Sequence, residues 1–219
     1  MQYELNRSDW EAILEQILAV TAAHRNTVGY DSFKDLANER FFHHKFSCLL
    51  WKHFKEDGVD MWTEHLLTPE GKTAGKFSWK ALRLENVQKE RQEVLRGQRG
   101  NHDFVIHTCP RIRVEWKGPW MPNKMEFAQV CLKLLDKTAP EEPKLICAIL
   151  AGAKKGNQRH LQAPETNLRA ALRFACDVVG CDDIAKQNLF VYIATILDTV
   201  PRKFHWGQLR SVDAGWETV

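Results

Sequence analysis

Two long apolar runs in the second half of the chain constrain the fold most. LICAILAG occupies residues 145–152, and NLFVYIATIL occupies residues 188–197. A continuous apolar run is expected for a strand that is covered on both faces, because a half-exposed strand alternates between apolar and polar residues. The two runs therefore predict buried strands of a sheet that has helices on both sides.

The N-terminal part of the chain is predicted to be mostly helical. Ser8-Asp9-Trp10-Glu11 is a capping box that predicts a helix to about Ala23. Asp31 can cap a second helix that runs to about Lys55. Residues 59–67, VDMWTEHLL, are then predicted to form a strand.

Residues 68–100 interrupt this order with a loop rich in Gly, Thr and Lys and a charged helix, and we interpret them as an insertion. Two short strands are predicted around Cys109-Pro110, followed by helices over about 123–137 and 165–179. Pro201 is predicted to end the last strand. The order α-α-β-(insertion)-β-β-α-β-α-β predicts an α/β fold with a mixed central sheet flanked by helices.

The composition is that of an ordinary globular protein. The chain has 219 residues, of which 44% are hydrophobic and 27% are charged, and its net charge of +3 means that any basic patch must be local. The sequence shows no signal peptide, and no apolar run approaches the roughly 18–20 residues of a membrane span. Its six cysteines include no CxxC pair. We therefore expect one reduced, cytoplasmic domain without a membrane segment.

The segment GNHDFVIHTCPRIRVEWKG, residues 100–118, contains the strongest candidate for a functional site. Side chains of a strand point to opposite faces with a period of two. One face of the predicted hairpin is apolar and comprises Phe104, Ile106, Ile112, Val114 and Trp116. The opposite face presents two carboxylates and an amine, namely Asp103, Glu115 and Lys117.

The register of this hairpin decides whether the two carboxylates meet. A three-residue loop at 108–110 would place Asp103 opposite Glu115, whereas a two-residue loop at Cys109-Pro110 would pair Asp103 with Trp116. Residue 109 is neither Gly nor Asn, which a tight two-residue hairpin would prefer. The sequence therefore favours the longer loop.

Carboxylates with a nearby amine suit phosphodiester hydrolysis. Mg²⁺ or Mn²⁺ can polarise the phosphate and bind the attacking water, and such hard cations choose carboxylate oxygens. Asp103 and Glu115 are the expected ligands, and Lys117 is expected to orient the water or to offset charge in the transition state. The alternative is a solvated strand face with a surface Glu/Lys pair.

These residues resemble the motif of the PD-(D/E)XK nuclease superfamily, the restriction-endonuclease-like proteins. The motif is an acid at the start of one strand and (D/E)xK in the next; here His102-Asp103 and Glu115-Trp116-Lys117 match it, with His102 in place of the usual Pro. The resemblance implies an α-β-β-β-α-β core over about residues 31–151, after an N-terminal helix. A helix-strand extension over 152–219 would follow the core.

The same resemblance implies a Mg²⁺- or Mn²⁺-dependent endonuclease that acts on DNA and needs no organic cofactor. Many members place a further acid on the first core helix, and Glu39 fits that position. Its neighbours there are apolar, namely Leu36, Phe42, Phe46 and Leu50, so its carboxylate needs a charged partner. Glu64 is the competing acid, and a structural pairing of Glu39 with His43 one helical turn on is the alternative.

Contacts to DNA are expected from a basic loop and from the helix after the motif. The predicted contact residues are Lys154, Lys155, Arg159 and Gln129. Gln129 matches the glutamine of the QxxxY pattern in the exonuclease branch, but Lys133 stands where that pattern has Tyr, so we do not assign that branch. The pairs His43-His44 and Cys176/Cys181 suggest metal binding only weakly.

Two other functions stay open at this point. One is a nuclease fold that has lost turnover and serves as a DNA-binding or assembly module, against which the intact Asp/Glu-x-Lys set counts. The other is an RNA or single-stranded substrate, for which stacking on Trp62, Trp116 or Trp120 would matter. Because double-strand cleavage requires two sites, a homodimer is a further open prediction.

Overall fold

The computed structural model describes residues 3–36, 38–77, 98–120, 122–135, 140–151, 159–197 and 200–212. Its strands are β1 (Leu67–Pro69), β2 (Lys72–Phe77), β3 (Gln98–Asn101), β4 (Phe104–Ile106), β5 (Ile112–Lys117), β6 (Lys144–Leu150), β7 (Leu189–Leu197) and β8 (Val200–Gln208). Its helices are α1 (Arg7–Leu36), α2 (Glu39–Glu56), α3 (Lys124–Leu134) and α4 (Arg159–Val179), with a 3₁₀ turn at Ile184–Gln187.

Six strands form a mixed sheet in the order β1-β4-β5-β6-β7-β8. The pairs β5–β6 and β6–β7 are parallel, and the remaining three pairs are antiparallel. β2 and β3 form a separate two-stranded sheet. The predicted α/β fold with a mixed central sheet is therefore confirmed.

Helices cover both faces of the sheet, as the apolar runs predict. α1 and α2 pack on one face and contact Leu145, Cys147 and Ile149 of β6 within one core. α3 and α4 pack on the other face, where the second core includes Ile146 and Ala148 of the same strand. Every residue of β6 is buried, which accounts for the apolar sequence that follows Lys144.

Close packing between α2 and the end of β5 fixes the position of the candidate site. Trp116 is fully buried and stacks on Phe42, with ring centroids 5.8 Å apart and an interplanar angle of 5°. Gly118 has φ of +146°, and a Cβ there would lie 2.5 Å from the carbonyl oxygen of Ile149. Only glycine allows this approach, so Lys117 is held at a defined place beside α2.

The boundary between the first two helices differs from the prediction. α1 continues past Ala23 to Leu36 with a break at Gly29, and α2 begins only at Glu39. The side chain of Asn38 accepts a hydrogen bond from the Phe41 amide, so the cap is Asn38 and the predicted start at Asp31 is wrong. The first cap also differs.

Asn6 and Asp9 form that first cap, in place of the predicted Ser8 box. The Asn6 side chain accepts from the Asp9 amide, and the Asp9 carboxylate accepts from the Asn6 amide. The predicted end of this helix at Ala23 was too early. No Gly or Pro interrupts the chain between Ala23 and Gly29, so the helix continues.

The first predicted strand also needs correction. Residues 61–65 form a turn, and only the three residues Leu67–Pro69 form β1, so the strand predicted over 59–67 is wrong. The Asp60 carboxylate accepts hydrogen bonds from the Trp62 amide and the Thr63 hydroxyl, which stabilises the turn.

The C-terminal extension contains a strand that the sequence did not predict. β8 pairs antiparallel with β7, so the extension is helix-strand-strand. Pro201 lies within β8 at the edge of the sheet, where a missing N–H is tolerated. The charged helix predicted within 68–100 falls mostly on residues outside the described ranges. Among the helices that are described, none has the length and hydropathy of a membrane crossing.

Candidate active site

The register of the β4–β5 hairpin is the one predicted for Asp103 and Glu115. Phe104 pairs with Val114, and Ile106 pairs with Ile112, so the connection has an odd number of residues. Continued by one pair, this register sets Asp103 across from Glu115. The five predicted apolar residues all lie in the core beneath α1 and α2, which confirms the apolar face of the hairpin.

Asp103 directly precedes β4, and its side chain is 16% exposed. The backbone amide of Trp116 donates a hydrogen bond of 2.6 Å to its Oδ2. Burial by itself raises the pKa of Asp103, but the His43 imidazole, this amide and the Lys133 ammonium outweigh burial and lower that pKa below its ordinary value. Asp103 is therefore an ionised carboxylate at neutral pH.

The carboxylate of Asp103 lies close to the side chains of two residues of α2. Ligand atoms of Glu39, His43 and Asp103 all lie within 4.8 Å of one another, and this is the one group of three or more potential metal ligands among the described residues. His43 Nε2 is 3.6 Å from Asp103 Oδ2 and 3.9 Å from Glu39 Oε1. One helical turn separates Glu39 from His43, so both side chains project from the same face of α2.

The donor set fits a divalent cation. Ligands about 2.1 Å from one ion lie about 3–3.5 Å apart at octahedral or tetrahedral angles. The observed separations are slightly longer, as expected for two carboxylates and an imidazole that surround a small cation site. His43 Nε2 is buried between the two carboxylates and lies slightly beyond ordinary hydrogen-bond length of the nearest oxygen of each. Such a nitrogen is a suitable metal ligand.

Lys117 completes this side of the site. Its Nζ donates hydrogen bonds of 3.2 and 3.1 Å to Oε1 and Oε2 of Glu39. The ammonium is the charged partner that a carboxylate beside the apolar stripe of α2 requires. Glu39 is also the first residue of α2, where the helix dipole favours a negative charge.

Glu115 occupies a very different environment. Its side chain is completely buried, Oε2 accepts a 2.8 Å hydrogen bond from Lys133 of α3, and Oε1 lies 3.3 Å from Nδ1 of the buried His102. Burial raises the pKa of Glu115 to about 8, although the Lys133 charge opposes the increase. Glu115 lies outside the group formed by Glu39, His43 and Asp103, and its role as a metal ligand stays a prediction.

A chain of buried polar contacts continues from Glu115 to the protein surface. His102 Nε2 is 3.3 Å from the guanidinium of Arg113, and Arg113 Nε donates a 2.9 Å hydrogen bond to Glu142. His102 thus places an imidazole between two ionic groups of the hairpin.

The other residues that the sequence singled out lie apart from this group or outside the described residues. Glu64 is exposed in the turn before β1, so Glu39 is the acid that meets Asp103. Gln129 is half-buried on α3. Lys154 and Lys155 lie outside the described residues, and Arg159 begins α4 with its side chain not described.

The three tryptophans considered for stacking have different exposure. Trp116 is fully buried, and this excludes it as a stacking surface. Trp62 is 50% exposed and Trp120 is 43% exposed. Stacking on an unpaired base is therefore restricted to the latter two.

Sequence reasoning underrated His43 and missed the contacts of Lys133. It gave His43 as a weak metal candidate or a structural partner of Glu39, and it noted Lys133 as a departure from the QxxxY pattern. The spacing of four residues between Glu39 and His43 was the available signal for a shared ligand set. For Lys133 the signal was the need of a buried glutamate for a cation, but which helix supplies that cation depends on the tertiary packing.

Comparison of this chain with protein-family models, curated proteins and solved structures gives no match. The assignment of a function to the site therefore depends on its own geometry and chemistry.

Proposed function

We propose that this protein is a divalent-metal-dependent nuclease that hydrolyses phosphodiester bonds of DNA. The observation that carries the proposal is the convergence of Glu39, His43 and Asp103 within 4.8 Å, with Lys117 bound to Glu39 at the same place. The site combines ligands for a cation with an ammonium for the phosphate. Both groups serve metal-dependent phosphodiester hydrolysis, the first by activating water and phosphate and the second by stabilising negative charge.

The arrangement of the elements supports the proposed relation to the PD-(D/E)XK nucleases. α2, β1, β4, β5, α3 and β6 follow one another in the order α-β-β-β-α-β, with β2 and β3 inserted after β1. Asp103 precedes β4, while Glu115 and Lys117 lie on the adjacent β5. These positions support the proposed relation to this family.

We assign a role to each residue of the site. Glu39, His43 and Asp103 would hold the cation, which when bound would polarise the phosphate and acidify a water molecule. The Trp116 amide orients Asp103, and Glu39 orients Lys117. Lys117 places its positive charge where a phosphate would approach, so it can stabilise the additional negative charge of the transition state.

The identity of the ligands bears on the identity of the metal. Two carboxylates suit Mg²⁺ and Mn²⁺ equally, whereas an imidazole is a softer ligand that is more typical of transition metals. Of the two ions that the sequence suggests, we therefore propose Mn²⁺ as the better cofactor.

The test is cleavage of supercoiled plasmid, linear duplex and single-stranded DNA in Mn²⁺ or Mg²⁺. The wild type is compared with Asp103→Asn and Lys117→Met, and Asp182→Asn serves as an exposed aspartate control beyond α4. Asn at 103 keeps an oxygen for the Trp116 amide, so this variant changes the charge and retains the hydrogen bond. We expect cleavage by the wild type and the control only.

Two results would contradict the proposal. Equal cleavage by wild type, Asp103→Asn and Lys117→Met would show that the activity comes from another site or from a contaminant. Absence of cleavage on all three DNA substrates, together with absence of Mn²⁺ binding, would instead support the non-catalytic DNA-binding or assembly module.

A further inference from the structure

A cavity of about 480 Å³ opens directly beside the proposed metal site. His43 and Asp103 belong to its lining as well as to the ligand group, so the cavity and the site are continuous. The volume is within the range of pockets that hold small organic molecules. A ligand that fills the cavity would therefore contact the site of the proposed reaction.

One face of α2 forms a wall of this cavity. The residues of that face follow helical spacing and comprise His43, His44, Ser47, Cys48 and Trp51. The buried positions of the same helix, Phe42, Phe46, Leu50 and Phe54, point instead into the core. α2 thus has one apolar side that packs on the sheet and one aromatic-containing side that lines the cavity.

Trp62 lies on the cavity and is unusually exposed for its size. Half of its surface is accessible, and it is one of three large apolar side chains that are exposed within the described ranges. Its turn is held between the buried Met61 and Leu66, and the Asp60 carboxylate accepts a hydrogen bond from its amide. An exposed indole ring carried by a hydrogen-bonded turn is a suitable surface for a planar ligand.

The charges of the described lining disfavour a phosphate inside the cavity. Among the residues that the structure describes, the lining contains two carboxylates, Glu70 and Asp103, and neither lysine nor arginine. Trp51, Trp62 and Phe104 supply aromatic surface, while Ser47 and Glu70 can accept hydrogen bonds from amino groups. A neutral heteroaromatic group with N–H donors matches this lining, and a nucleobase has that chemistry.

We infer that this cavity binds one unpaired nucleobase of the strand that is cut, and that the substrate is single-stranded DNA. The inference depends on the proposed function, because a phosphodiester at Glu39, His43 and Asp103 would bring its own base to the adjoining cavity. Bases inside a duplex are stacked and paired, so they cannot enter such a cavity without being flipped out. Single strands need no such step.

The experiment compares a labelled single-stranded DNA oligonucleotide with the same strand annealed to its complement. Cleavage in Mn²⁺ and binding in EDTA, followed by fluorescence anisotropy, are measured for the wild type, Trp62→Ala, Trp62→Phe and Trp120→Ala. Trp120 is the matched control, since it is similarly exposed and is not part of the cavity lining. We expect Trp62→Ala to raise KM and Kd for the single strand about 5-fold or more, Trp62→Phe to restore most of the loss, and Trp120→Ala to have no effect.

The outcomes separate this inference from the proposed nuclease function. Equal cleavage of single strand and duplex, unchanged by Trp62→Ala, would overturn the base-binding cavity and leave the nuclease intact. Absence of all cleavage, with single-strand binding that still depends on Trp62, would overturn the nuclease and leave the cavity. Loss of binding in Trp120→Ala alone would overturn the cavity, and better cleavage of a single-stranded RNA of the same sequence would overturn the assignment to DNA.

Discussion

Asp103 and Glu115 come from neighbouring strands in register, yet their surroundings are opposite. Asp103 is partly exposed, faces Glu39 and His43 of α2 and has a lowered pKa. Glu115 is completely buried against Lys133 of α3, and its pKa is raised to about 8. The hairpin supplies both acids, and the two flanking helices give them different chemistry.

This difference indicates where the centre of the site lies. A cation at Asp103 can be reached from the cavity beside α2, whereas the carboxylate of Glu115 already has an ammonium partner and no access to solvent. Lys133 lowers the pKa of Asp103 as well as that of Glu115, so the two environments are coupled through one charge. We therefore expect variants of the two acids to have different effects.

The largest expected effect comes from Asp103→Asn. Loss of the ionised ligand should abolish detectable Mn²⁺ binding and lower the cleavage rate by about 10²–10³-fold, the range found when one electrostatic contact of a transition state is removed. Isothermal titration with Mn²⁺ measures the first effect directly. If Asp103→Asn leaves the Mn²⁺ affinity unchanged and Glu115→Gln removes it, then Glu115 and not Asp103 holds the metal.

Lys117→Met should have a smaller effect of a different kind. Methionine keeps the length and apolar contacts of the side chain but removes the ammonium that binds Glu39. We expect kcat to fall about 100-fold, while the Mn²⁺ affinity stays the same or increases because Glu39 loses its competing partner. Lys186→Met is the matched control, since that lysine is 80% exposed. A weaker Mn²⁺ affinity in Lys117→Met would show that this lysine positions the ligands.

His43→Ala tests whether the imidazole on α2 determines which metal ion the site prefers. Removal of the imidazole should lower the activity ratio between Mn²⁺ and Mg²⁺ about 10-fold, because only carboxylate ligands would remain. His53→Gln on the same helix is the control, and its ratio should equal that of the wild type. If His43→Ala lowers the activity in both metals by the same factor, then the imidazole positions Asp103 and does not ligate the ion.

The parts of the site that the sequence predicted correctly depend on local rules. The apolar face of the hairpin follows from the two-residue period of strands. Its register follows from the kind of residue at position 109, and the buried central strands follow from their uninterrupted apolar sequence. Each of these inferences needs only neighbours in the chain.

The parts that it missed depend on tertiary packing or on competition between similar local signals. Asp31 and Asn38 are both acceptable caps, and the extended α1 selects the second. The proximity of His43 to Asp103 depends on how α2 crosses the sheet, which Trp116 and Phe42 fix by stacking. The pairing of Glu115 with Lys133 depends on the height of α3 above β5. Long-range packing of this kind has no signature in one sequence.

The last expected effect concerns stability and not activity, and it is the pH dependence of unfolding due to Glu115. Its pKa rises from an ordinary value of 4.5 to about 8 on folding, so between these values the folded protein holds a proton that the unfolded chain releases. The stabilisation that this bound proton gives to the folded state is therefore complete below pH about 4.5. It is lost as the pH rises towards about 8. Glu115→Gln cannot titrate, so in EDTA its Tm should fall less than that of the wild type between pH 5 and 8.

Thermal unfolding in EDTA at several pH values measures this effect, and each kcal/mol corresponds to roughly 2–4 °C in Tm for a domain of this size. Glu56→Gln is the control, because its carboxylate is 66% exposed and lies on the surface of α2. The control should show the same pH dependence as the wild type. Parallel Tm curves for wild type and Glu115→Gln would mean that Glu115 is ionised against Lys133 at neutral pH. The two carboxylates of the hairpin would then both be charged, and Glu115 would again be a candidate metal ligand.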